Sequence, residues 1–77
     1  MNIKKHYVAL SKGGTVFLAT IECRDVTCKG SPWRLEIRRE LNGGGLELIR
    51  NDDFTSLWHA KRAMETWRKG LKWMLRP

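Results

Sequence analysis

Two tryptophans and three cations recur along the last third of the chain at spacings that suit one side of a helix. Trp58, Arg62, Lys69, Trp73 and Arg76 follow one another at intervals of four, seven, four and three. At about 100° per residue these positions cluster on a helical wheel. Lys61, Arg68 and Lys72 flank them, and Glu65 falls in the gap between Arg62 and Lys69. An indole can stack on a base or pack on a sugar, while neighbouring Lys and Arg neutralise phosphates. A helix also has the width to enter a duplex major groove. From Phe54 onward six Lys and Arg face one acid, within a chain of formal net charge +7. A bias that large exceeds what solubility needs and points to an acidic partner. The expected nucleic-acid-binding set is therefore Trp58, Lys61, Arg62, Arg68, Lys69, Lys72, Trp73 and Arg76, with DNA or RNA as the partner.

The same residues have a structural reading. Trp58 could fold over a sheet edge beside Phe54, Trp73 could close one end of a small core, and basic helix faces are commonly just solvated. They also have a second functional reading as a protein-binding adaptor or inhibitor. In that reading the face grips an acidic protein or a second copy of the chain as a homodimer, because aromatic and Arg residues dominate such contacts too. Arg34 and Arg38 form a secondary candidate, pointing away from the core on a long strand, since an exposed sheet face can read a major groove. Glu36 and Glu40 alternate with them, which favours cross-strand charge pairing on a solvated face.

Other chemistries lack their parts. Cys23, Cys28, His6 and His59 are the raw material for a metal site, but structural zinc needs a second tight ligand pair. No metal or cofactor is expected. No serine sits in a nucleophile elbow, and Gly43-Gly44-Gly45 lacks the Lys and helix of a phosphate loop. Asp52-Asp53 suits the start of a helix, so neither these acids nor His59 beside them argues for an enzyme. The apolar run Tyr7–Leu10 is too short for a signal peptide, and nothing approaches the roughly 20 apolar residues of a spanning helix. Two cysteines read most simply as free thiols in a reducing compartment, which places the chain in the cytoplasm and off the membrane. A small basic chain with no catalytic constellation is the kind that bacteriophages and mobile elements encode.

The elements that must position these residues follow from turns and periodicity. The 77 residues allow one domain, and 42% apolar content with only two prolines suits a folded chain. Ser11-Lys12-Gly13-Gly14 and Asn42-Gly43-Gly44-Gly45 are hairpin turns. They divide strands over Tyr7–Leu10, Thr15–Cys23, Trp33–Leu41 and Leu46–Arg50, with a polar loop through residues 27–32. In the third strand Trp33, Leu35, Ile37 and Leu41 share one face, broken only by Arg39. The period then changes. Thr55 or Ser56 caps a helix over about 55–75, whose stripe of Leu57, Ala60, Met64, Trp67, Leu71 and Met74 covers the sheet. Gly70 weakens that helix. The expected fold is α+β: a small antiparallel β-meander of three or four strands, about 5–50, packed against one C-terminal α-helix.

Overall fold

The computed structural model describes residues 3–23, 30 and 32–76. Strands β1 (Ile3–Leu10), β2 (Val16–Cys23), β3 (Trp33–Glu40) and β4 (Leu46–Phe54) form an antiparallel meander. Helix α1 (Leu57–Thr66) follows, and then a short strand β5 (Met74–Arg76). The sheet order is β4-β3-β2-β1-β5, so α1 carries the chain across the sheet and returns it to the opposite edge. The α+β class holds, with two corrections: the sheet has five strands, and the helix is followed by one of them. The polar loop expected through 27–32 falls mostly outside the described residues, as do Cys28 and Arg24.

The two described hairpin turns are built alike. Ser11 N–H donates to the Thr15 carbonyl and Gly14 N–H to the Ser11 carbonyl, and Leu41, Gly45 and Gly44 repeat the pattern. Gly14 and Gly44 occupy the equivalent place with φ of 86° and 96°, a left-handed conformation that a Cβ disfavours. Leu41 therefore belongs to the turn and is exposed.

Strand alternation puts Tyr7 and Ala9, Phe17, Ala19 and Ile21, and Leu35 and Ile37 on one side of the sheet, all buried. Ala60 and Met64 of α1 close over Tyr7, Ala19, Ile21, Leu35 and Ile37, with Trp33, Phe54, Leu57, Ala63, Trp67 and Trp73 packed around, while Phe17 packs against Trp67. Arg39, on the same side, sits beyond the helix and pairs with Glu47 across the strands.

Asp52 and Asp53 do not open the helix. They lie in β4, which continues to Phe54 past an irregularity opposite Ile37 and Arg38. Asp has poor strand propensity. Here Arg34 reaches Asp53 at 3.3 Å across the pair, and Arg50 holds Asp52, so local charge pairing offsets it. The helix starts later, on Ser56, whose hydroxyl accepts the His59 backbone N–H at 3.2 Å. That is the N-cap interaction expected of a serine.

The early end of α1 has a physical cause. A helix continued past Trp67 would give the Met64 carbonyl to the Arg68 N–H. Instead that carbonyl accepts Trp67 N–H at 3.3 Å and the Trp73 indole N–H at 3.1 Å. Gly70, at φ 86°, turns the chain back. Residues 74–76 then pair with the edge of β1, Tyr7 opposite Leu75. Met74 therefore leaves the apolar stripe that the helical period predicts and becomes exposed. Trp73 acts as the lock on this turn. Trp73→Phe keeps most of the ring but removes the donor, and is expected to cost about 1 kcal/mol. For a domain this small that is a fall in Tm of roughly 4–8 °C by circular dichroism.

Candidate nucleic-acid interface

α1 buries Ala60 and Met64, with Leu57, Ala63 and Trp67 at the margins of the buried side. Its outer side is therefore formed by Trp58, Lys61, Arg62 and Glu65, all exposed. Trp58 is 65% exposed, and its ring meets His59 edge to face at 5.1 Å. The His59 ring is itself held, with Nδ1 2.6 Å from Ser56 Oγ. The capping serine thus fixes the residue that braces the exposed indole.

Arg68, Lys69 and Lys72 follow the helix and are exposed. The Arg68 guanidinium lies 5.1 Å from the centroids of both Phe17 and Trp67, rings that are themselves edge to face at 5.3 Å. Stacking on aromatic faces orients a guanidinium while leaving its edge donors for an acceptor. Beside it, the turn between β1 and β2 meets the turn after α1. Lys12, Gly13, Arg68, Lys69 and Gly70 line an open cleft of about 420 Å³ there.

The structure brings together part of the expected set. Trp58, Lys61 and Arg62 share the outer side of α1, and Arg68 and Lys69 share the cleft. Two residues separate from them. Trp73 is half-buried against the core with its indole N–H committed to Met64. Arg76 pairs with His6 in the register of β5 and β1, on the side of the sheet away from α1. A single helix to residue 75 would have aligned all of these, and the turn at Gly70 divides them. Lys12 is the residue that sequence reasoning missed. It sits in a turn with no periodicity to assign it a neighbour, and only the fold places it beside Arg68.

Charge separates by element. Among the described residues five cations are ion-paired, all on the sheet: Lys4 with Glu22, Arg34 with Asp53, Arg38 with Glu36, Arg39 with Glu47 and Arg50 with Asp52. Both secondary candidates, Arg34 and Arg38, are thereby engaged. Among the described residues, none of the cations Lys61, Arg62, Arg68, Lys69, Lys72 and Arg76 is in such a pair, nor is Lys12. Exposed ion pairs contribute little stability, yet they cancel the local field. What remains along α1 and the turn after it is a net positive potential, from five cations against the single acid Glu65.

No family model, curated protein or solved structure matches the chain. What the surface can bind follows from its own charges and rings. Cys23 is buried on the helix side of the sheet, His6 lies beside Thr20 on the opposite side, and His59 is at the start of α1. These three are thus dispersed over the fold. Among the described residues no helix is long and apolar enough to cross a membrane.

Proposed function

We propose that the chain binds single-stranded nucleic acid along the outer side of α1 and the turn that follows it. Lys61, Arg62, Arg68, Lys69 and Lys72 hold phosphates, Lys12 joins them at the cleft, and Trp58 stacks on a base. One observation carries the reading: among the described residues the acid-paired cations all lie in β1, β3 and β4, whereas the cations of α1 and its following turn are in no such pair. A single strand fits better than a duplex because an indole can stack only on a base that its neighbours leave free. Phosphate contacts of this kind supply affinity without reading sequence. The role that follows is accessory or regulatory binding with no catalytic step.

The test compares two double variants by fluorescence anisotropy on a labelled single strand. Arg62→Ala with Lys69→Ala removes two unmatched cations. It is expected to weaken binding by about tenfold at moderate salt and to lower the slope of log affinity against log salt by about 1.4. Arg34→Ala with Arg38→Ala removes two matched cations and is expected to change affinity less than about twofold. Equal losses in the two variants would overturn the assignment to α1. Loss in neither, with acidic proteins captured instead, would favour a protein partner for the same face.

A further inference from the structure

The side of the sheet away from α1 is divided into a charged half and an apolar half. Residues paired across antiparallel strands point the same way, so the register sorts this face into rows. Lys4, Glu22, Arg34 and Asp53 form a row of alternating charge across four strands, bridged at 3.6 Å and 3.3 Å. His6, Thr20, Glu36 and Asn51 form a polar row beside it, with Arg76 at its edge. The next row runs Met74, Val8, Leu18, Arg38, Leu48, and the last runs Leu10, Val16, Glu40, Leu46. Met74, Leu10, Leu46 and Leu48 are 68%, 65%, 52% and 48% exposed. Toward the turns, β1 and β2 are thus apolar on both sides, the pattern of strands covered on both. α1 covers only one.

Charge identifies what covers the other. The face as a whole carries Lys4, Arg34, Arg38 and Arg76 against Glu22, Glu36, Glu40 and Asp53, a balance of zero on a chain of +7, and without Arg76 of the edge strand β5 the strands β1 to β4 carry one net negative charge. An acidic macromolecule gains nothing there, and two copies of a basic protein meet there with far less repulsion than their net charge of +7 would impose. We infer that two copies of this chain pack sheet against sheet through this face. A two-fold axis along the strands, between β2 and β3, lays β1 over β4 and β2 over β3 of the second copy. Lys4 then faces Asp53 and Glu22 faces Arg34, while Val8 meets Leu48 and Leu10 meets Leu46. The same contacts recur on both sides of the axis, as an isologous interface requires. Arg38 keeps Glu36 as its partner, so its charge is not buried alone, and Glu40, which falls opposite Val16, lies exposed at the end of β3, at the rim of the overlap.

Four strands at ~4.8 Å spacing and ~3.3 Å per residue give about 500 Å² of overlap per copy, or about 1,000 Å² in all. That stands at the threshold for a specific interface, so the dimer is reversible. It places both α1 helices on the outside with their unmatched cations facing solvent, and it forms whether or not nucleic acid binds.

Sedimentation equilibrium on protein stripped of nucleic acid tests this. The wild type is expected to move from the mass of one chain to twice that mass as concentration rises. Leu46→Glu is expected to weaken association by on the order of a hundredfold or more, because each copy would bury a carboxylate cross-strand from Glu40, in a row with no cation. Trp58→Ala, outside the face, is expected to leave the mass unchanged. Should Leu46→Glu fail to fold by circular dichroism, Leu10→Glu, at the exposed end of β1, serves in its place. A wild type that stays monomeric at its highest soluble concentration overturns the inference. So does a dimer that survives these substitutions, or one that Trp58→Ala dissociates.

Discussion

Phe17→Ala is expected to bring the chain to the edge of unfolding. Phe17 is 1% exposed, meets Trp67 edge to face and lies beneath the Arg68 guanidinium. Truncating a buried Phe typically costs about 3–5 kcal/mol, part in lost transfer energy and part in the cavity left behind. A domain of this length has roughly 4–12 kcal/mol in total at about 0.05–0.15 kcal/mol per residue. One side chain therefore represents a large share of the stability. The ring also joins two elements far apart in sequence, since it lies in β2 and its partners follow α1. Its loss should release the turn that carries Arg68. Urea unfolding followed by tryptophan fluorescence and by far-ultraviolet circular dichroism checks this. The midpoint should fall sharply, and Phe17→Leu, which retains much of the volume, should fall less. A midpoint for Phe17→Ala close to wild type would mean that the α1–β2 contact does not hold the core as described.

Trp58→Ala is expected to do the reverse, sparing the fold and damaging binding. Trp58 is 65% exposed, and substitutions at such positions usually change stability by no more than about 0.5 kcal/mol. Stacking of a base on an aromatic side chain contributes about 1–3 kcal/mol, which corresponds to a loss of roughly 5- to 150-fold in affinity. Trp58→Phe, with a smaller ring, should recover part of it. The contrast with Trp73 sharpens the expectation. Position 73 holds the end of α1, so its substitution should lower stability at unchanged intrinsic affinity for the strand. If Trp58→Ala instead lowered Tm and left affinity intact, the exposed indole would be part of the scaffold.

Much of this fold is legible in the sequence because its signals are local. The Gly-rich turns, the alternation of Trp33, Leu35 and Ile37 with Arg34 and Glu36, and the capping serine each depend on a few adjacent residues. The end of α1 depends on distant ones. Leu71 and Met74 continue the helical period, and a stripe of six apolar residues outweighs a single Gly70 when read along the chain. The Trp73 indole bond to Met64 and the unpaired edge of β1 tip the balance, and both exist only once the sheet has formed. Asp52 and Asp53 mislead for a related reason. Acids before a helix suit its dipole, but here arginines on neighbouring positions stabilise them in a strand.

The candidate site divides the same way. Trp58, Lys61 and Arg62 are readable from helical spacing because they lie inside the helix that forms. Trp73 and Arg76 lie beyond its end, so the wheel projection misplaces them. The apolar half of the open sheet face is visible in the run from Val16 to Ile21, which is apolar at both parities except Thr20. The helical stripe accounts for one side of that run and leaves the other without cover. Which cations remain unmatched is not legible at all, since it depends on the register that pairs five of them with acids.

The most direct test of nucleic-acid binding is the affinity of the wild-type protein for a labelled single strand, measured across a series of salt concentrations. With five or six unmatched cations on phosphates, log affinity should fall linearly with log salt, at a slope of about −3.5 to −4.2. A flat dependence, or no binding at the lowest salt, would contradict the account and leave the basic surface to an acidic protein.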